Sequence, residues 1–216
     1  VSVPKRSEAG SSAANTTSSN LYLPILQNDY SPSVAQKLGF GSASRSISAY
    51  PAIRSLMAGW YVNWSVAVNP ARPGGIQFVQ MVRLHQNLTC AFGTTADRTI
   101  CPYVSPPSYT MNPARSVVER AARANPGSIW LIGNEMDRPD WFGGRQDEMT
   151  PELYAVAYND LYTIIKSADP TAKLAIGGVI QFTPLRKQYL DTVWDTYRQR
   201  YGKNIPVDIW NVHNFI

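Results

Sequence analysis

The sequence predicts an α/β fold, a TIM-type (β/α) barrel in which parallel strands are covered by helices. Three observations predict it. Short apolar runs alternate with helical stretches from Lys37 onward, and the runs are close to continuously apolar, as strands buried on both faces are. Functional-looking residues recur where those runs end: Asn63 and Trp64, His85, Asn134 and Glu135, Gln181, then His213 and Asn214. The rival is a doubly wound nucleotide-binding sheet, which needs a glycine-rich phosphate loop between a strand and a helix. The nearest stretch, "GFGSAS", lacks the third glycine and an acidic residue at the expected distance.

Residues 1–33 are dominated by Ser, Ala, Thr and Asn, as in "SEAGSSAANTTSSN", and bury too little apolar surface to order themselves. They read as a leader or tether, with "LYLPIL" as an apolar patch that can dock on the domain of residues 34–216. The predicted strands are "LGFG" (38–41), "AGWYVNW" (58–64), "IQFVQMVRL" (76–84), "SIWLIGNE" (128–135), "KLAIGGVI" (173–180) and "VDIWNVHNF" (207–215). A helix over roughly 113–124 ends at "NPG". The next is capped by Thr150, with Pro151 in its first turn, and presents Leu153, Ala157, Leu161, Ile164 and Ile165 on one face before "SADPT" stops it. A third starts near Pro184, buries Leu190, Val193, Trp194 and Tyr197, and ends at Gly202.

A chain of 216 residues that is 44% hydrophobic with six Trp can build one sizeable core. It has no apolar run of about 18 residues, so no membrane span is predicted. The formal charge of +5 is scattered, without a Lys/Arg block, which argues against nucleic acid as a partner. The two cysteines, Cys90 and Cys101, close the polar loop "TCAFGTTADRTIC" and read as a disulfide in a secreted or cell-surface protein rather than as free thiols. His85 and His213 lack metal-ligand spacing, so zinc is not expected, and no cofactor motif is present. The sequons at Asn15, Asn63 and Asn87 carry meaning only in a eukaryotic secretory host. The chain opens on Val1 without a basic-then-apolar segment, so a signal is expected to be removed already or to lie outside it.

The stretch "IWLIGNEMD" (129–137) ends an apolar run in residues unsuited to a strand interior. Side chains alternate along a strand, which puts Leu131, Gly133 and Glu135 on one face and Trp130, Ile132 and Asn134 on the other. If the first face lines a barrel, Glu135 projects into its mouth. Ringed there by Trp and Tyr, its charged form would be disfavoured, as suits a general acid. The plainer alternative is that Glu135 caps a helix or pairs with Arg138 while Asn134 makes a turn.

"WLIGNEMD" at a strand end, followed by a helix, "IGGV" and "DIWNVHNF", resembles the catalytic barrel of clan A glycoside hydrolases; "AGWYVNW" and "FVQMV" are similar to second and third strands of its β-glycanase-like members. The resemblance covers about residues 38–216, or six of eight strands. It implies Glu135 as general acid/base, Asn134 as a ligand of the sugar's 2-hydroxyl, and His213 as a residue positioning the nucleophile or the sugar. A polysaccharide or oligosaccharide would be the partner. Trp60, Trp64, Trp141 and Trp210 are candidates for sugar stacking, since an aromatic face suits the apolar face of a pyranose. Each can equally be a packing tryptophan.

Such enzymes retain configuration and need a second carboxylate about 5 to 5.5 Å away as nucleophile. The family supplies it from the seventh strand, which is absent here. Asp137, Asp140, Asp147 and Glu148 fall on the loop beyond Glu135, and Asp208 at the wrong end of its strand. An open six-stranded remnant would leave an unclosed core. The nucleophile is therefore expected outside this chain, in a C-terminal continuation or another chain that completes the barrel. Two rivals stand beside the hydrolase: a non-catalytic carbohydrate-binding protein, and a structural or assembly component of a cell surface. A serine hydrolase would need G-x-S-x-G, which is missing.

Overall fold

The computed structural model describes residues 37–43, 46–50, 52–91, 94–139 and 146–214. The predicted leader and Trp141 lie outside the described residues. The fold is mixed α/β: a mostly parallel sheet of six strands flanked by helices. The strands are β1 (Gly39–Gly41), β2 (Trp60–Val62), β3 (Gln77–Gln86), β4 (Tyr109–Asn112), β5 (Ile129–Asn134) and β6 (Lys173–Gly178). Five are parallel and lie in the order β1-β2-β3-β5-β6, each new strand adding beside its predecessor. The exception is β4, antiparallel to the end of β3.

Residues 209–212 continue this series beyond β6. Two parallel bridges, Ala175 to Ile209 and Val179 to Val212, set four steps on β6 against three on the partner. The sequence predicts an unbroken strand over 207–215; the extra β6 residue instead makes a bulge, and the amides of Asp208 and Ile209 both donate to the Leu174 carbonyl.

Among the described residues three α-helices cover one face: α1 (Arg115–Ala124), α2 (Pro151–Ala168) and α3 (Pro184–Tyr201). The predicted apolar stripes are where the helices pack. Leu153, Ala157, Leu161, Ile164 and Ile165 of α2 join Val118 and Ala121 of α1, and Leu190, Val193 and Tyr197 of α3, against Val82, Trp130, Ile132, Leu174 and Ile176 of the sheet. Trp194 is partly buried beside them. Punctuation holds at α3, where the Thr183 hydroxyl accepts from the Arg186 amide and Gly202 closes the helix at φ 66°. At α2, Thr150 is the N-cap residue by position, yet its side chain makes no capping bond; its amide instead donates to Gln86 Oε1 at 2.8 Å. The helix start is thereby tied to the end of β3 by a long-range contact.

The opposite face of the sheet carries no α-helix among the described residues and is nonetheless apolar. Val62, Val79 and Met81 are buried there, with Trp60, Trp64, Ile129 and Leu131 packed around them. A third cluster, Ile47, Ile53, Tyr61, Ile76 and Phe78, packs under the short 3-10 turns that join β1 to β2. Gln80, fully buried in β3, is satisfied by the Ala67 backbone, which accepts from its Nε2 and donates to its Oε1. No helix among the described residues is long and apolar enough to cross a membrane.

Candidate functional site at the end of the parallel strands

The run "IWLIGNE" stops being a strand because its backbone turns over. Gly133 has φ 87° and Glu135 φ 52°, so the two residues flanking Asn134 both lie in the left-handed region. For Gly133 this is free; for Glu135 it costs on the order of 1 to 2 kcal/mol, so the surroundings must enforce it. They do so from both sides: the Glu135 amide donates to the Gly178 carbonyl at 2.8 Å on the β6 side, while Asp147 and Met149 return alongside and donate to the carbonyls of Asn134 and Met136. The strict alternation expected from the sequence therefore ends at Ile132. Trp130 and Ile132 face the helices and Leu131 the other side, but Asn134 and Glu135 are placed by the turn.

Glu135 is 8% exposed. Its Oε1 lies 3.0 Å from His213 Nδ1, its Oε2 accepts from Gln146 Nε2 at 3.3 Å, and Arg138 Nη1 is 3.8 Å from the same oxygen. The contacts that hold the carboxylate among the described residues are these polar partners. The Arg138 pairing considered from the sequence is present as the longest of the three contacts. His213 reaches the carboxylate because its own amide is fixed to the Val179 carbonyl at 3.0 Å and because Gly178 leaves room. A Cβ on Gly178 would meet His213 Nε2 at 2.6 Å and Asn211 Nδ2 at 2.9 Å. Asn134 is buried beside them, and its Oδ1 has no hydrogen-bond partner among the described residues.

The neighbouring acids are committed. Asp147 Oδ2 accepts from the amides of Asn134 (2.8 Å) and Leu84 (3.0 Å), and Oδ1 from Arg83 Nε (2.7 Å). Burial nonetheless pushes its pKa up to about 6, against the pull of Arg83 and the two amides. Asp137 is paired with Arg186 at 3.2 Å and accepts from the Ile180 amide; burial raises it too, with Arg186 pulling the other way. Glu148 is held by Arg98 and by the Tyr103 hydroxyl at 2.7 Å. Asp208, on the segment after α3, lies beside the start of β6 and accepts from the Leu174 amide, at the end remote from Glu135.

The tryptophans are dispersed. Trp60 and Trp64 pack over Gly39 and Gly41, where any Cβ would collide with their rings, and belong to the cluster on the helix-free face. Trp210 is half-exposed and stacks on Trp194 of α3, with centroids 6.0 Å apart and planes 18° from parallel. The fold thus brings Asn134, Glu135 and His213 to one strand end, places Trp60 and Trp64 in the cluster on the helix-free face, and turns Trp210 toward the helices.

A further group was marked in the sequence only by His85; its partners Arg83, Thr110 and Asn112 were not selected. In the β3–β4 pairing Arg83 opposes Asn112 and His85 opposes Thr110, so these four side chains share one face, while Leu84, Tyr109 and Met111 pack on the core side. They floor two adjoining cavities of about 400 and about 210 Å³ that have His85 and Thr110 in common. The smaller also touches Gln146 and Asp147; the larger runs to Asn87 and Cys90. Burial lowers the pKa of His85 to about 4, against the pull of Glu148. The Cys90–Cys101 disulfide closes the loop carrying Arg98, whose guanidinium donates to the Thr95 and Cys101 carbonyls as well as to Glu148. The legible signal was the apolar-polar alternation of "YTMN", obscured by its shortness and flanking prolines. No family model, no curated protein and no solved structure matches this chain.

Proposed function

We propose that this chain contributes to the catalytic barrel of an exported, retaining glycoside hydrolase, with Glu135 as general acid/base. The observation that carries the reading is the Glu135–His213 contact of 3.0 Å, made across β6 from the carboxyl ends of the two parallel segments that flank it, with Asn134 directly before the acid. Sites of α/β barrels gather at that end. The sequential strand order and an apolar sheet face buried without α-helices among the described residues support a sheet that curls toward closure. The Cys90–Cys101 disulfide suits export.

In this reading His213 holds Oε1, so the transferable proton belongs on Oε2, next to Gln146 and the smaller cavity. Glu135 gives that proton to the leaving glycosidic oxygen and later takes one from water. Asn134, with its buried unpartnered oxygen, is the ligand of a sugar hydroxyl adjoining the reacting carbon. Because Asp137, Asp147 and Glu148 are each bound to an arginine, the nucleophile is assigned to a carboxylate outside the described residues.

In the full-length protein Glu135→Gln lowers hydrolysis of unactivated oligosaccharides by about 10²- to 10⁴-fold. Unchanged turnover rejects the acid/base role. Glycan binding with no hydrolysis by the wild type would instead select the non-catalytic carbohydrate-binding alternative.

A further inference from the structure

We infer that the two cavities along the β3–β4 ledge form one groove that binds an uncharged, linear oligosaccharide leading away from Glu135 toward the disulfide loop. The inference rests on the reading of the Glu135 end as a carbohydrate site, and it adds the direction, length and charge class of the ligand.

Continuity comes from shared residues. Gln146 touches Glu135 Oε2 and lines the smaller cavity; His85 and Thr110 line both; Asn87 and Cys90 line the far end. Cavities of about 400 and about 210 Å³ in series fall within the size range of small-molecule sites, roughly 300 to 1,000 Å³. The chemistry of the floor is that of a polyol site. Thr110 and Asn112 are exposed and offer a hydroxyl and an amide, and Gln146 Oε1 is a buried acceptor without a partner among the described residues.

Charge class follows from how the ionic groups are spent. Arg83, the cation on the floor, is bound to Asp147 at 2.6 Å, and Arg98 behind His85 is bound to Glu148. His85 is half-buried, and burial disfavours its cationic form. A uronate or sulfated chain would meet paired cations whose carboxylates repel it, whereas a neutral chain needs only the hydroxyl and amide groups present.

The test uses the protein with cellohexaose, mannohexaose and xylohexaose, their disaccharides, and hexagalacturonate, titrated calorimetrically. At least one neutral hexasaccharide is expected to bind 10-fold or more tightly than its own disaccharide and than hexagalacturonate. Thr110→Trp fills the groove at an exposed position and is expected to remove that length advantage, while Thr110→Ser keeps it. Tighter binding of hexagalacturonate, no gain with length for any neutral series, an undiminished gain in Thr110→Trp, or loss of the gain in Thr110→Ser overturns the inference. The hydrolase reading fails separately. Length-dependent binding with hydrolysis unaffected by Glu135→Gln sinks that reading and leaves the groove standing, whereas Glu135-dependent hydrolysis without length-dependent binding sinks the groove alone.

Discussion

Buried at 2% exposure, the Asp147 carboxylate accepts from Arg83 and from the amides of Leu84 and Asn134, yet desolvation still lifts its pKa from 3.8 to about 6. Between those two values the folded protein keeps a proton that the unfolded chain has lost. Its contribution to stability is therefore greatest below pH 4 and declines as pH rises to about 6, by roughly 3 kcal/mol for a shift of this size. What the residue gives in return is position, because it fixes the Asn134 amide at the point where the backbone turns over. Asp147→Asn is expected to gain stability relative to wild type on going from pH 4 to pH 7, by up to about 3 kcal/mol in urea denaturation at the two values. Turnover should fall about 10- to 100-fold as the turn loosens. A stability difference that does not change with pH would contradict this account of Asp147.

At the scale of elements, strands and helices were legible wherever one side of a segment is apolar at a constant period. The α2 stripe of Leu153, Ala157, Leu161 and Ile165 reads at helical spacing and is buried as read. Local patterning could not show the bond from the Thr150 amide to Gln86, 64 residues away, or the backbone reversal at Glu135, which neighbouring strands impose. The same holds for β4, four residues between prolines whose role depends on pairing with β3. In the site, Glu135, Asn134 and His213 were recognisable by type and place, whereas the Arg83–Asp147 and Arg98–Glu148 pairs exist only in three dimensions. Packing between β5 and β6 makes a further demand that single residues conceal. A Cβ on Gly177 would lie 2.3 Å from Met136 Sδ and 2.5 Å from the Ile132 carbonyl oxygen, and that oxygen belongs to a strand that cannot retreat. Gly177→Ala should destabilise by at least 1 to 3 kcal/mol, read as a lower denaturation midpoint. A midpoint unchanged from wild type would mean that β5 and β6 are not packed as described.

Across the molecule, the sheet grows in sequence order and its strand ends carry the polar groups, while the disulfide fixes the far wall of the groove. Cys90 and Cys101 are 11 residues apart, and cross-linking a loop of that size removes about 3 kcal/mol of unfolded-state entropy. The double variant Cys90→Ser/Cys101→Ser should lose stability of that order. It should also weaken hexasaccharide binding more than disaccharide binding, since Cys90 lines the distal cavity. Equal loss for both lengths would detach the loop from the groove. The central claim is that Glu135 moves the proton in both halves of a retaining reaction, and its sharpest test is rapid mixing of the full-length Glu135→Gln variant with 2,4-dinitrophenyl β-glycosides of glucose, mannose and xylose. A leaving group that needs no proton should depart in a fast burst of about one equivalent, followed by slow turnover as the glycosyl-enzyme waits for an unassisted water. Steady release at the wild-type rate, with no burst and no slow phase, would contradict it.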